Sequence, residues 1–305
     1  MSWLPLIVFC RRYPEGLVPH ARIAVIEKPL PQAPSAGPTT DADEVQIRQR
    51  YLTARTEHEA AALALQAALD ELGQPVDWFR APERPPHGAY DLVVSLGGDG
   101  TFLLAARLIG QGALLGVNSS PSTSVGRYCA TTAADVLPTL SALLDGSLAS
   151  KSFLRLRVTI DDVALPLDAI NDALFANACP VAATRYAVVA ADGLDMHLSS
   201  GLWIATPTGS SGAIRSAGGS VMDDDDHRLQ WRVREPFIGG GLNPRAPRNL
   251  SGFTTDGLEL LSRHRDNAVY LDGQHTAYTV GFGARVRIFP SPDPLIAYLP
   301  VSLPR

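Results

Sequence analysis

Apolar positions in the first half of the chain gather into short unbroken runs, with helix-forming segments between them. Ala21–Ile26, Val76–Phe79, Leu92–Leu96 and Leu114–Val117 are strand-length runs bounded by polar or turn residues, as expected of strands buried on both faces. Asp43–Leu72 is dominated by Ala, Leu, Glu, Gln and Arg and is stopped by Gly73, which predicts a long helix. A second helix is expected from Thr101, and a third over Asp135–Leu144, closed by Gly146. Strands alternating with helices predict a parallel α/β sheet.

Beyond about Ser150 the pattern changes. The apolar runs Phe153–Ile160, Asp168–Phe175, Tyr186–Val189, Leu202–Ala205, Leu258–Leu261, Ala268–Leu271 and Val286–Phe289 are separated by turn residues. Only Ser211–Gly218 suggests a helix, and a brief one. The expected fold class is therefore α/β plus β: an α/β domain over residues 1–150, then a mainly β, sandwich-like domain.

Composition narrows the chemistry. The 305 residues are 46% hydrophobic, enough for one large core or two ordinary ones, and the net charge of −5 gives no global attraction to nucleic acid or anionic membrane. The only lysines are Lys28 and Lys151. Neither sits in a Walker-type phosphate loop, and Lys28, followed by Pro29, is a poor candidate for a Schiff base. Cys10, Cys129 and Cys179 form no zinc or redox spacing and fit a reducing compartment. The Trp3–Cys10 run is short, with its arginines after the apolar residues, opposite to a secretion signal. No run is long and apolar enough to span a bilayer, so a soluble, cytoplasmic protein is expected. Pro29–Thr40 reads as a proline-rich loop, Pro82–Gly88 as another loop, and the carboxylate run Asp223–Asp226 as a solvated turn.

Four stretches carry candidate chemistry. In Gly97-Gly98-Asp99-Gly100-Thr101 a strand meets a helix start, where bare backbone and free N–H groups favour an anion. Asp99 would repel a phosphate there unless a cation or a proton transfer is involved, and this points to chemistry. Besides these four, Asn118–Ser122 should lie at the same sheet edge, where ligands of such sheets bind. Asn171-Asp172 breaks an apolar run with a polar pair suited either to ribose hydroxyls or to a structural role at a strand end. The third and fourth are Thr206–Gly219, a Thr-Pro-Thr-Gly-Ser loop opening a helix of small residues, and Asp272-Gly273-Gln274, which read alone is a hairpin turn.

In this order and spacing the four stretches resemble the NAD kinase family, and most closely its plant-type NADH kinases. The plant-type likeness rests on Asn171-Asp172 where the common pattern is Asn-Glu, on Ser199-Ser200-Gly201, on Ala217–Met222 and on Trp231–Pro236. The resemblance runs from about Ala21 to the C-terminus. It implies a Rossmann-like or phosphofructokinase-like N-terminal domain (1–150) and a β-sandwich dinucleotide-binding domain (151–285), with a tail, 286–305, returning to the first domain. It implies transfer of the terminal phosphoryl group of ATP to the 2′-hydroxyl of the adenosine ribose of NAD or NADH, with magnesium, in a homodimer or larger homo-oligomer.

By the same resemblance, Asp99 is the proton acceptor or helps hold the magnesium, and Gly97, Gly98, Gly100 and Thr101 shape the phosphate loop. Asn171, Asp172, Ser200, Thr208, Ser210, Ser211, Gly212, Ala213, Ser216 and Gln274 are the expected NAD(H)-binding residues. Two positions depart from the common pattern. Ala213 stands where the family usually has Tyr, and Ser200 where it usually has Asp. Loss of that carboxylate would ease acceptance of the less positive reduced nicotinamide; Ser200→Asp is then expected to lower the NADH-to-NAD efficiency ratio, and an unchanged ratio would sink the idea. Two other functions fit the glycine loop alone: a related kinase acting on a lipid or another hydroxyl acceptor, and a non-catalytic dinucleotide-binding protein.

Overall fold

A computed structural model describes residues 21–30, 41–81, 83, 85–110, 112–238 and 247–298. The Trp3–Cys10 run, residues 31–40 of the proline-rich loop, Pro82 and Arg84 of the next loop and the last residues of the 286–305 tail lie outside these. Two compact units emerge. One runs to Phe102 and resumes over Ala113–Lys151; the other takes Leu103–Gly112 and Ser152–Ala297, and Tyr298 belongs with the first.

The first unit begins with β1 (Ile23–Glu27), α1 (Ala42–Glu71), β2 (Val76–Arg80), β3 (Leu92–Gly97), the first turn of α2 (Asp99–Leu108), whose residues from Leu103 on belong to the second unit, and β4 (Ala113–Asn118). β1, β3 and β4 are buried at every residue, as strands covered on both faces must be. The Asp41 side chain caps α1 by accepting the Asp43 N–H, and Gly73, at φ +62°, ends it in the left-handed conformation that favours glycine. The helix buries Ala54, His58, Ala61, Leu65, Ala68 and Leu69, a three-and-four spacing that keeps one face on the sheet. Then follow β5 (Thr131–Thr132), α3 (Val136–Leu144) and β6 (Ser150–Phe153). β2, β1, β3 and β4 pair in that order, all parallel. β5 also pairs with β4, in parallel.

The second unit contains β7 (Leu156–Ile160), β8 (Val163–Ala164), β9 (Asp172–Asn177), β10 (Thr184–Ala190), β11 (Gly193–Ser199) and β12 (Gly201–Ala205). A 3-10 turn at Thr208–Ser211 and α4 (Ala213–Ser216) precede β13 (Leu229–Arg234), β14 (Ser251–Thr254), β15 (Leu258–Ser262), β16 (Asn267–Leu271), β17 (Ala277–Val280), β18 (Arg285–Pro290) and β19 (Leu295–Tyr298). Two six-stranded sheets form, β11-β10-β15-β18-β7-β8 and β14-β13-β12-β9-β16-β17. One apolar core takes side chains from both, among them Val158, Tyr186, Leu260 and Ile288 from the first and Phe175, Ile204, Trp231 and Val269 from the second.

Several strands escape the sequence pattern. The expected Phe153–Ile160 run breaks into β6 and β7 around Arg155, a 3%-exposed residue whose guanidinium donates to the Ile109 and Gly110 carbonyls. β11 inverts the usual alternation: Asp195, His197 and Ser199 are buried while Leu194 and Met196 are exposed. Asp195 is satisfied by the Arg248 and Asn249 N–H groups, and the His197 ring stacks on Tyr186. The Asp223–Asp226 run is a turn, as expected, with Asp226 paired to Arg228.

Candidate functional site

In the first unit, Gly97 ends β3 and the helix α2 opens on Asp99, two residues before the start read from the pattern. The Gly98 carbonyl accepts the N–H groups of Thr101 and Phe102 at 3.0 and 3.1 Å and so begins the helix. A β-carbon on Gly97 would collide with the Thr101 hydroxyl, which explains that glycine by packing. Gly100 is different. It is exposed, and a β-carbon there would meet no atom within 4 Å, so the protein itself gives no reason for a bare backbone.

Asp99 is half-buried, and its Oδ1 accepts the Tyr128 N–H at 3.0 Å. Tyr128 is held in turn by stacking on Phe102, with ring centroids 5.2 Å apart. Beside them Cys129 is buried with its Sγ 3.8 Å from the Gly97 carbonyl; burial, and then the Asp99 charge, push its thiol up to about 12. A thiol so protonated is no nucleophile at neutral pH. Asn118 ends β4 and pins the next turn, accepting the Ser120 N–H and donating to the Ser124 carbonyl. The Ser120 hydroxyl donates to Glu57 of α1 at 2.7 Å.

In the second unit, Asn171 and Asp172 stand at the start of β9. One carboxylate, Asp272, grips their main chain: it accepts the N–H groups of Ile170 at 2.9 Å, Asn171 at 2.8 Å and Asp172 at 3.2 Å. Asp272 occupies the turn of the expected hairpin, between β16 and β17, at φ +48°. Its backbone N–H returns a bond to the Asp172 carbonyl at 3.0 Å. Buried Arg107, from the last turn of α2, donates to the Leu271 carbonyl and the Thr276 hydroxyl at 3.1 and 3.2 Å and fixes the same turn.

The Thr206–Gly219 segment packs on this pair. The Thr206 N–H donates to the Asn171 carbonyl at 2.9 Å, and its hydroxyl to the Ile170 carbonyl at 2.5 Å. Gly209 lies so close that any β-carbon would overlap the Asn171 carbonyl. Ser210 ties the loop together, donating to the Pro207 carbonyl and accepting the Met222 N–H. Thr208 is buried, Ser211 and Ala213 are partly exposed, and Gly212 and Ser216 are open to solvent.

Asn171 Oδ1 is buried and, among the described residues, has no hydrogen-bond partner. An orphaned acceptor of that kind marks a place for a ligand donor. Gln274 is exposed at the hairpin tip. Ser200 is not part of this cluster. It precedes Gly201, whereas Asp172 pairs with Ala205 at the other end of β12, roughly 16 Å away at about 3.3 Å per residue.

Asp172 is only 7% exposed, and burial followed by the Asp272 charge raises its pKa to about 7. Burial also pushes Asp272 up, but three N–H donors and the charge of Arg107 oppose this, so the pair's proton settles on Asp172. Below about pH 4 Asp172 is protonated in both folded and unfolded chains and its burial carries no ionic cost. Between pH 4 and 7 the unfolded chain ionises first, so this group's stability is lost as pH rises through 7, by up to about 4 kcal/mol. Urea midpoints measured from pH 5 to 8 should therefore fall more steeply in wild type than in Asp172→Asn; parallel curves would remove Asp172 as the source.

No protein-family model matches the chain. A probable NADH kinase of Oryza sativa subsp. japonica, however, is 34% identical over 258 residues, covering 75% of this chain and 78% of that protein. The chain belongs to the NAD(H) kinase family.

Solved structures agree on the NAD(H) kinase fold. An NAD kinase from Archaeoglobus fulgidus, crystallised in complex with ATP, matches 91% of this chain and 93% of its own at a TM-score of 0.61, with 21% identity. Yeast NADH kinase complexed with NADH matches 92% of this chain and 84% of its own at 0.62, with 15% identity. The motifs of this NAD(H) kinase were legible from residue types, but two of the groups that hold them were not. The Asp272 carboxylate reaches main chain about a hundred residues away, and its only sequence signal was an ordinary Asp-Gly turn. Tyr128 serves Asp99 through its backbone N–H, which no side chain advertises.

Proposed function

We propose that this chain transfers the terminal phosphoryl group of ATP to the 2′-hydroxyl of the adenosine ribose of NAD(H), giving NADP(H). The observation that carries the proposal is the half-buried Asp99 carboxylate at the first turn of α2, inside a glycine loop with an open approach at Gly100, in a chain of this family. Phosphoryl transfer needs positioning, charge stabilisation and a base for the hydroxyl proton more than covalent chemistry. The Tyr128 N–H fixes the Asp99 carboxylate through Oδ1, so that it takes the ribose hydroxyl proton as the oxygen attacks phosphorus. The free N–H groups at the start of α2 receive the phosphates, with Gly97, Gly98, Gly100 and Thr101 shaping their cradle.

Asn171 and Asp172 bind the dinucleotide, the orphaned Asn171 oxygen accepting from a ribose hydroxyl or the adenine amine. Ser211 to Ser216 line the adenine pocket, with Gln274 from the hairpin tip. Among the described residues no three His, Cys, Asp or Glu side chains gather to hold a metal. Asp99, a half-buried carboxylate at the phosphate loop, would hold magnesium, which takes one or two carboxylates together with phosphate oxygens and water. When bound, the ion neutralises charge on the transferred group.

The same reading makes the first unit a Rossmann-like or phosphofructokinase-like domain and the second a β-sandwich, divided near residue 150. It also makes the protein a cytoplasmic homo-oligomer; no described helix is long and apolar enough to cross a membrane. Preference for NADH over NAD follows from the plant-type pattern. The test is to incubate the purified chain with magnesium-ATP and NAD or NADH and to measure NADP(H). Absence of product with both acceptors would refute the activity, and the ratio of rates fixes the acceptor.

A further inference from the structure

From β1 the chain crosses to β2 on one side of the sheet, whereas from β3 it crosses the opposite way to β4. The direction reverses between β1 and β3. Open parallel sheets bind ligands beyond their strand ends at such a reversal, because the diverging connections leave a crevice there. One lip of this crevice is the Gly97–Thr101 loop after β3. The other is Lys28, the first residue after β1, whose N–H donates to the Leu96 carbonyl at 3.0 Å, immediately before that loop.

Lys28 is one of two lysines in the chain, and it is half-buried. Among the described residues its ammonium makes no hydrogen bond and no ion pair; the nearest carboxylate influence is Glu57, acting at longer range. Glu57 is committed elsewhere, accepting the Ser120 hydroxyl at 2.7 Å and the hydroxyl and N–H of Ser122. Burial draws the Lys28 pKa down, and the Glu57 charge offsets part of this. A partly desolvated cation without a direct counter-ion is costly until an anion completes it. Lysine is a common point-charge ligand for phosphate.

We infer that Lys28 receives the terminal phosphates of the phosphoryl donor at the β1/β3 crevice and is the residue by which the chain distinguishes a nucleoside triphosphate from a monophosphate. This rests on the kinase reading of the Gly97–Thr101 loop. It adds a donor-binding cation that no phosphate-loop motif in the sequence supplies, and it eases the repulsion between Asp99 and phosphate.

The test is calorimetric titration of wild type, Lys28→Met and Lys28→Arg with AMP, ADP and ATP at fixed magnesium, alongside turnover. Wild type is expected to bind ATP more tightly than AMP. Lys28→Met should erase at least about tenfold of that preference, the worth of one charged hydrogen bond, while leaving AMP affinity within twofold. Lys28→Arg should retain most of the preference. If Lys28→Met melts lower but keeps the wild-type ATP-to-AMP ratio, Lys28 is only a counter-charge to Glu57 and the inference is overturned. A wild type with no preference overturns it as well. Because the ratio is read from binding, a chain that discriminates yet makes no NADP(H) would remove the kinase activity and leave the Lys28 assignment standing. A Lys28→Met chain that keeps both its turnover and the wild-type ATP-to-AMP ratio would do the reverse.

Discussion

Asp99→Asn is expected to lower kcat by at least about a hundredfold, the lower end of what a positioned acid or base contributes. The substitution keeps the shape of the side chain and its acceptor oxygen, so the 3.0 Å bond from the Tyr128 N–H survives and the start of α2 is retained. It removes the basic oxygen that would take the ribose proton and the negative charge that would meet a metal. KM for NAD(H) should change little, since the groups assigned to the dinucleotide lie in the second unit. Steady-state kinetics with magnesium-ATP would check this; turnover within a fewfold of wild type would remove Asp99 from the mechanism. Thermal unfolding of the variant gives the control, because the half-buried carboxylate has no ion-pair partner among the described residues whose loss would destabilise the unit.

Asp272→Ala should have the largest effect on stability. The substitution leaves three main-chain N–H groups without their acceptor and takes a negative charge from the neighbourhood of buried Arg107. Uncompensated buried polar and charged groups of this kind cost about 3–5 kcal/mol. Trp203 and Trp231 belong to β12 and β13 of the same unit, so their fluorescence in a urea titration reports the loss where it occurs. Dinucleotide affinity should weaken as well, by at least about tenfold, as Asn171 and Asp172 lose their register. Asp272→Asn, which keeps one acceptor oxygen, should fall between. A loss below about 0.5 kcal/mol, within the range of an ordinary surface change, would mean the three bonds do not anchor the pair.

The two halves of the chain were unequally legible. Strands of the first unit are covered on both faces, so they appear in the sequence as continuous apolar runs, and the long helix announces both its cap and its stop. In the second unit the edge strands are short and half polar, and β11 carries its polar side chains inward, which defeats any reading by alternation. The Gly97–Thr101 and Thr206–Gly219 stretches declared themselves through glycines and hydroxyls at helix starts. What could not be read was distance: that Ser200 lies at the far end of β12 from Asp172, that Ser210 bonds within its own loop, and that Lys28 and Gly97 finish neighbouring strands. Those facts come from strand order and register, which short runs of sequence do not encode.

The grip of Asp272 on its neighbours bears on how such a protein can diversify. It holds residues 170–172 by their amide nitrogens, a grip that does not depend on which side chain stands at position 172. Mutation at position 172 can therefore exchange a shorter acid for a longer one without releasing the strand that presents it. The side chain at position 172 can thus change while the hairpin that carries the strand stays in place.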